Sequence, residues 1–572
     1  MKIFLPSILF IVLVLSGCKF TSFKNETFCN PVNLSYRFQL DEPSRREAAD
    51  PSVVCYNGDY FMFLSKSGGY YHSNNMIDWE LIETKDLPVE EYAPTAININ
   101  DTVYFMALNQ KIYQSSNPIS GKWDIKNDSI YARTFDPTIF RDEDGRMYLY
   151  HGLSARTPIK GIELDRESLQ PIGEEADLLV SNRKYYGWER RGDYNTDTKK
   201  RAWVEGAFVT KHNNKYYLHY SVPGTQFKSY GDGMYVSENP LGPFNLAEIN
   251  PFSYKPEGFI AGAGHGSVFN DEFGNYWYAG TMTVAVKHRL ERRIGMFPAF
   301  FDEDGCFYAY TGFGDYPHAK PQGKMNSYKD YQPQYMLLSY NKPVEVSSSF
   351  NDHQKENCVD ENIKTSWSAL SGRKGEWLMI DLEEEKDVHA LQINFADVDT
   401  KILGRPQDIY YQYLIEYSND KKNWTVLIDK TNNIQDAPHD YIELDSSVNG
   451  RYIRITNYKV PDGKFAISGF RVFGFGNGKK PGIVDQLTVK RNPDDGCVVD
   501  LKWNKNPKAI GYNIRYGTNP EKLYLNYQVY DCDSLSIRSL NSKQDYYFTI
   551  DAFNENGITM GEDVLKSAKN IE

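Results

Sequence analysis

One phrase recurs through the first half of this chain: a small or acidic residue beside Pro or Gly, a few apolar residues, a polar turn, then an aromatic-rich strand. It reads Ala49-Asp50-Pro51-Ser52 ahead of Asn57-Gly58-Asp59-Tyr60-Phe61, and Phe135-Asp136-Pro137-Thr138 ahead of Asp144-Gly145-Arg146-Met147-Tyr148. It returns as Val204-Glu205-Gly206-Ala207 ahead of Asn213-Asn214-Lys215-Tyr216-Tyr217 and as Gly264-His265-Gly266-Ser267 ahead of Phe273-Gly274-Asn275-Tyr276-Trp277. A weaker copy is Tyr92-Ala93-Pro94-Thr95 ahead of Asn100-Asp101-Thr102-Val103-Tyr104. Such repetition marks units that stack on one another. If they stack radially, the first strand of each lines a central channel, and the lead residues Asp50, Thr95, Asp136, Glu205 and His265 take equivalent places. Three carboxylates and a histidine then converge on one point. Asp-Pro and Glu-Gly are also ordinary turn formers, which suffices for one copy but not for four polar lead residues in register.

At 572 residues the chain exceeds a single core and implies several domains. Its aromatic content of 15%, with 43 Tyr, suits pleated, half-buried sheet, and no long amphipathic helix stands out. The expected class is all-β, and the resemblances that follow imply a five-bladed β-propeller followed by two β-sandwich domains. A formal charge of -12 leaves no basic stripe for nucleic acid or an anionic membrane. A neutral partner, a polysaccharide or oligosaccharide, fits better.

The apolar run after Met1-Lys2 is too short to span a bilayer and reads as a signal segment. Its end, Leu15-Ser16-Gly17-Cys18, resembles a bacterial lipobox. That implies lipid on Cys18 and an exported protein, a membrane-anchored lipoprotein at the cell surface or facing the periplasm, with no other membrane contact. The other six cysteines lack metal-ligand spacing. Cys497 with Cys532 is the best local disulfide candidate, and buried free thiols are the alternative. The expected organisation is signal peptide and lipidation site over 1–18, a tether over 19–29, the propeller over 30–316, a linker over 317–342, and sandwiches over 343–476 and 481–572.

Clustered carboxylates suit cleavage of a glycosidic bond, which needs one carboxyl protonated and one ionised; crowded like charges push their pKa values apart. Asp50 and Asp136 precede Pro, so each side chain is expected to project from an extended segment. Glu205 has the longer reach, and Trp203 is expected to shield it from water and keep it protonated.

The Asp50, Asp136, Glu205 and His265 phrases look like the motifs of glycoside hydrolase family 43. Ser73-Asn74-Asn75-Met76-Ile77-Asp78-Trp79 is similar to that family's phrase after its first hairpin. The likeness spans roughly 30–316. It implies a five-bladed propeller and an inverting mechanism, with Asp50 as general base, Glu205 as general acid and Asp136 tuning and orienting the acid. His265 matches the family's axial histidine, which implies a central hydrated cation such as calcium, a satisfied structural histidine being the alternative; no other cofactor is required. Arg292 or Arg293, in Glu291-Arg292-Arg293-Ile294-Gly295, resembles an arginine that reaches substrate hydroxyls; the expectation rests on Arg293, with a surface salt bridge as the alternative. Thr95 stands where many members place a substrate-facing Asp. The resemblance implies a monomeric, exo-acting enzyme removing terminal arabinofuranose, xylose or a related sugar. Thr95 opens the alternative of a β-galactofuranosidase or exo-galactanase, and a glycan-binding surface lipoprotein without turnover is a third reading.

The 343–476 stretch, with Thr365-Ser366-Trp367, Glu376-Trp377-Leu378-Met379-Ile380 and Arg451-Tyr452-Ile453-Arg454-Ile455, resembles the discoidin or coagulation-factor type C sandwich of family 32 carbohydrate-binding modules. Trp367 and Trp377 are expected in its core rather than on a sugar. The 481–572 stretch looks like a fibronectin type III domain, with Trp503 early and Tyr546 where a tyrosine corner would tie down a loop. It is expected to be a spacer.

Overall fold

The structure, a computed structural model, describes residues 26–108, 110–130 and 134–570, so the lipid expectation at Cys18 lies outside the described residues. Regular structure here is β-strand interrupted by short 3₁₀ turns. No helix among the described residues is long and apolar enough to cross a membrane.

The repeats form five four-stranded antiparallel sheets. Their first strands are Ala49–Tyr56, Thr95–Ile99, Thr138–Arg141, Glu205–His212 and Ala261–Asn270. The polar turns read from the sequence close the first hairpins: Asn57 and Gly58, Asn100 and Asp101, and Asn213 and Asn214 all take positive φ. Two successive left-handed residues match the twist of the strands they join. The aromatic second strands supply packing, and Tyr60, Phe61, Tyr148, Tyr216, Tyr217 and Trp277 are buried.

Each first strand lies beside that of the next sheet, and the fifth lies beside the first. Side-chain hydroxyls stitch the seams. Ser52 Oγ of the first sheet accepts from Ala96 N of the second at 2.9 Å, and Ser267 Oγ of the fifth accepts from Val53 N of the first at 2.9 Å.

Three of the first strands carry the same irregularity. Between Ala49 and Ser52, Glu205 and Phe208, and Gly264 and Ser267, one extra residue interrupts the ladder. Such a bulge bends the strand and re-aims a side chain. It places Asp50, Gly206 and His265 at equivalent points, all at positive φ, so Glu205 stands one residue ahead of the place the repeat assigned it. In the second sheet the left-handed residue before Pro94 is Ala93, not Thr95.

The second unit is built on the long strand Trp377–Phe395, flanked by His439–Lys459 and Ala466–Phe475. Trp367 is fully buried in its core among Ile393, Ile415, Ile453 and Phe465, as expected, whereas Trp377 at the strand's start is only half-buried. The third unit sets a three-stranded sheet (Thr488–Arg491, Val499–Lys502, Ser534–Ile537) beside a larger one built on Gly511–Gly517 and Tyr546–Asn554. Tyr546 Oη accepts from Asn541 N at 3.1 Å, the loop tie anticipated for it.

The connecting stretches are not loose. Thr27–Phe28, at the end of the expected tether, pairs with His318–Ala319 in the expected linker, and Met336–Leu337 pairs with Ala466–Phe475. Buried charges join the units: Arg46 reaches Asp397 at 2.9 Å and Asp436 at 2.7 Å, and Arg471, paired with Glu361 inside the second unit, donates across to Asp315 O. Removing one member of such a pair strands a buried charge, at a cost of roughly 3–5 kcal/mol. All six cysteines from Cys29 onward are free thiols, so Cys497 and Cys532 are not bridged. Cys497 is buried against the first unit, its Sγ 3.4 Å from Tyr185 O.

Candidate active site

Asp50, Asp136, Glu205 and His265 lie within one another's electrostatic reach at the inner ends of the first strands. The residue before Pro was expected to be extended, but Asp50 and Asp136 have φ of 54° and 48°. The bulge beside Asp50 overrides the local preference. A left-handed non-glycine residue costs of order 1–3 kcal/mol, a strain that clusters where function needs a particular side-chain direction.

Asp50 is buried and heavily partnered. Ser65 Oγ donates to its Oδ2 at 2.6 Å, and its own N–H donates to Thr281 Oγ1 at 2.7 Å. Arg292 Nη1 sits 3.3 Å from Oδ1, and His265 Nδ1 is also 3.3 Å from Oδ1. Burial alone would raise the Asp50 pKa, but Arg292, His265 and the two hydroxyls outweigh it and hold the carboxyl below its ordinary value.

Glu205 and Asp136 are treated oppositely. Burial raises the Glu205 pKa, opposed by His265 and by Tyr230, whose Oη donates to Oε1 at 2.6 Å, and reinforced by Asp50; the net shift is upward. Burial also raises Asp136, His265 opposes, and the charges of Glu205 and Asp50 add to the rise. One carboxyl is thus kept ionised beside two that favour the proton.

Burial would depress His265, but Asp50, Asp136 and Glu205 together raise it. Its N–H is fixed by Ser221 Oγ at 2.7 Å and Asp232 Oδ1 at 2.9 Å. Asp232 in turn accepts from Tyr278 Oη and His219 Nδ1. A hydrated calcium ion can take most of its six to eight oxygen ligands from water; the His265 nitrogen is already shared with Asp50, and no set of three or more His, Cys, Asp or Glu able to hold a metal directly occurs among the described residues.

Two sequence expectations need correction. Arg293 faces away from the carboxylates: it is 4% exposed and donates to His439 Nε2 and to the carbonyls of Arg46 and Arg292. Arg292 is the one on Asp50, and its Nη2 is anchored to Glu47 Oε1 at 2.6 Å. Successive strand residues point to opposite faces, so only one of the pair can face the site. Trp203 is 49% exposed and does not form the dry cover expected over Glu205. Thr95 is buried at the head of its strand.

Sequence reasoning missed Tyr230, Glu47 and Asp232. It also missed a second repeat. Ser65, Ser221 and Thr281 stand opposite Ala49, Glu205 and Gly264 respectively, one hydroxyl per bulge. Phe63-Leu64-Ser65, His219-Tyr220-Ser221 and Ala279-Gly280-Thr281 carried that signal at the ends of the second strands.

An all-β frame that lowers the pKa of one carboxyl and raises those of two beside it has the equipment of a hydrolase of glycosidic bonds. Comparison with known proteins identifies two domains. Residues 44–307 match glycosyl hydrolases family 43, and 343–468 match the F5/8 type C domain. The chain is a glycosidase with a family 43 domain followed by an F5/8 type C domain. It is similar to the β-D-galactofuranosidase xynD of Aspergillus niger, 29% identical over 40% of this chain and 72% of that protein. It is also similar to xylosidase/arabinosidase 43B of Humicola insolens, 25% identical over 49% of this chain and 58% of that protein. A solved glycoside hydrolase is 19% identical with a TM-score of 0.45, over 77% of this chain and 99% of that one.

Proposed function

We propose that the enzyme is an inverting, exo-acting glycosidase removing a terminal furanose or pentose from a polysaccharide, with the five sheets as blades of a closed propeller. The observation that carries the reading is the opposed electrostatics of Asp50 and the Glu205–Asp136 pair. Asp50, ionised, takes a proton from water as it attacks the anomeric carbon. Glu205, protonated and aimed by Tyr230, gives its proton to the leaving oxygen as the glycosidic bond breaks. Asp136 keeps the Glu205 proton in place by like-charge repulsion. Arg292, fixed between Asp50 and Glu47, holds the base and offers its remaining N–H groups to sugar hydroxyls.

Similarity to a β-D-galactofuranosidase and to xylosidase/arabinosidases supports a terminal galactofuranose, arabinofuranose or xylose. Thr95, neutral where an acid was expected, favours galactofuranose. The F5/8 type C domain is read as a glycan-binding partner that raises local substrate concentration. The third unit is read as fibronectin type III-like, and the enzyme as a monomer held outside the cell by lipid on Cys18. Aryl galactofuranosides, arabinofuranosides and xylosides, with the first-formed anomer followed by NMR, test the proposal. Turnover with inversion that disappears in Asp50→Asn and Glu205→Gln is expected. Retention of configuration, or full activity in either variant, would overturn it.

A further inference from the structure

Between the third and fourth sheets the chain makes a long excursion, from Leu179 at the end of one to Glu205 at the start of the next. It returns through Val204, which exchanges both backbone hydrogen bonds with Ser154, at 3.1 and 3.0 Å. Beside this bridge lies a cavity of about 300 Å³ lined by Ser154, Arg156, Arg183, Lys184, Arg201 and Val204, among others. No Asp or Glu lines it. Four cations around one cavity are unexpected on a chain of formal charge -12.

Partnering sharpens the point. Arg146 and Lys160, elsewhere on the third sheet, pair with carboxylates. Among the described residues, Arg156, Arg183 and Arg201 form no ion pair. Arg183 donates Nε to Thr198 O and Nη2 to Lys199 O, both at 3.1 Å, which fixes its plane without neutralising it. Arg156 and Arg201 are exposed. Preorganised guanidinium forks bind carboxylate or sulfate oxygens bidentately. The cavity volume sits at the lower end of ligand sites, ~300–1,000 Å³, which suits one sugar unit.

We propose that this cavity is a subsite for an anionic sugar unit, bearing a carboxylate or a sulfate ester, on the glycan whose terminal linkage is cleaved. The proposal rests on Glu205 as the acid: Val204 lines the cavity and Glu205 follows it, which puts the charge on the acid's side of the site. The natural substrate is then an acidic polysaccharide trimmed of a neutral terminal sugar. The subsite secures the charged unit while the neutral one occupies the carboxylate cluster.

Calorimetry on full-length Glu205→Gln, which binds without turning over, tests this with three probes: galacturonic acid oligosaccharides, their carboxyl-reduced neutral counterparts, and galactose-6-sulfate oligosaccharides. At low salt at least one charged probe binds about tenfold more tightly than the neutral one, a difference of about 1.4 kcal/mol, and added salt shrinks the ratio. Which charged probe gains identifies carboxylate or sulfate. The preference falls to near unity when Arg156→Ala and Arg201→Ala are added, survives in part with Arg156→Lys and Arg201→Lys, and is unchanged by Lys199→Ala, an exposed residue outside the cavity. Equal binding of charged and neutral probes, or a preference that persists in the double alanine variant, overturns the subsite. Turnover of neutral aryl glycosides by the unmodified enzyme reports separately on the proposed function, so either reading can fail alone.

Discussion

The ring of His265 occupies the space a side chain at residue 206 would need: a Cβ built on Gly206 would lie 2.6 Å from His265 Cδ2. Gly206 also has φ of 57°, where L side chains are strained. The fourth sheet thus gives up a side chain at the bulge so that the fifth can lay an imidazole among three carboxyls. Gly206→Ala is expected to cost about 1–3 kcal/mol in stability from strain and to displace His265, lowering kcat. Thermal unfolding and steady-state kinetics check this; unchanged Tm together with unchanged kcat would show that the contact relaxes freely.

The opposed carboxyls predict a bell-shaped pH profile. The acidic limb marks protonation of Asp50, lowered by its neighbours, and the alkaline limb marks loss of the proton shared between Glu205 and Asp136, raised by burial and mutual repulsion. Arg292→Ala removes a cation 3.3 Å from Asp50. The base then titrates higher, so the acidic limb of kcat/KM moves to higher pH. A limb that stays in place after Arg292→Ala would assign it to another group.

Acid catalysis matters most when the leaving group is poor. Glu205→Gln is expected to lower kcat by about 10²–10⁴-fold on alkyl or sugar leaving groups, with a much smaller loss on dinitrophenyl glycosides, which depart without a proton. Comparing the two substrate classes reads this directly. An equal loss on both would make Glu205 a binding or nucleophilic group instead of an acid.

Asp136 carries a stability consequence with a definite sign. Its folded pKa lies above the unfolded value, so the folded state holds more protons between the two, and stability falls as pH rises through that window. Asp136→Asn removes this penalty. The variant is expected to gain Tm relative to the parent at pH 8, with the gain shrinking toward pH 4, while activity is lost. A Tm difference independent of pH would mean that the native carboxyl is not strained by its surroundings.

The frame was legible because the repeat is written in local chemistry. Asn-Gly and Asn-Asn turns, aromatic second strands and polar lead residues each bias the backbone or the packing in the same direction. What was not legible depended on register. Pro after Asp50 and Asp136 argued for extended backbone, yet both are left-handed, Asp50 at a bulge, and at the equivalent bulges Glu205 stands one place ahead of His265. The choice between Arg292 and Arg293 hung on strand parity, which adjacent identical residues do not reveal. Tyr230 lies just before the strand Gly231–Ser237, 25 residues from Glu205, and meets it only through tertiary packing.

The third unit, expected to be a spacer, braces the excursion that leads into the acid. Arg190 grips Asp495 with two hydrogen bonds, at 2.6 and 3.0 Å, and Gly187 N donates to Leu540 O. Cys497 lies under this contact, where burial pushes its thiol up to about 11 and keeps it unreactive. Asp495→Ala leaves Arg190 buried without its counter-ion, a cost below the roughly 3–5 kcal/mol of fully buried pairs because Asp495 is partly exposed. The docked face then opens more often. Alkylation of Cys497, followed by peptide mass mapping against the exposed Cys55 as internal reference, is expected to accelerate severalfold. Unchanged Cys497 labelling would mean that the apolar contacts hold the unit without the ion pair, and that Arg190 serves only to shape its own loop.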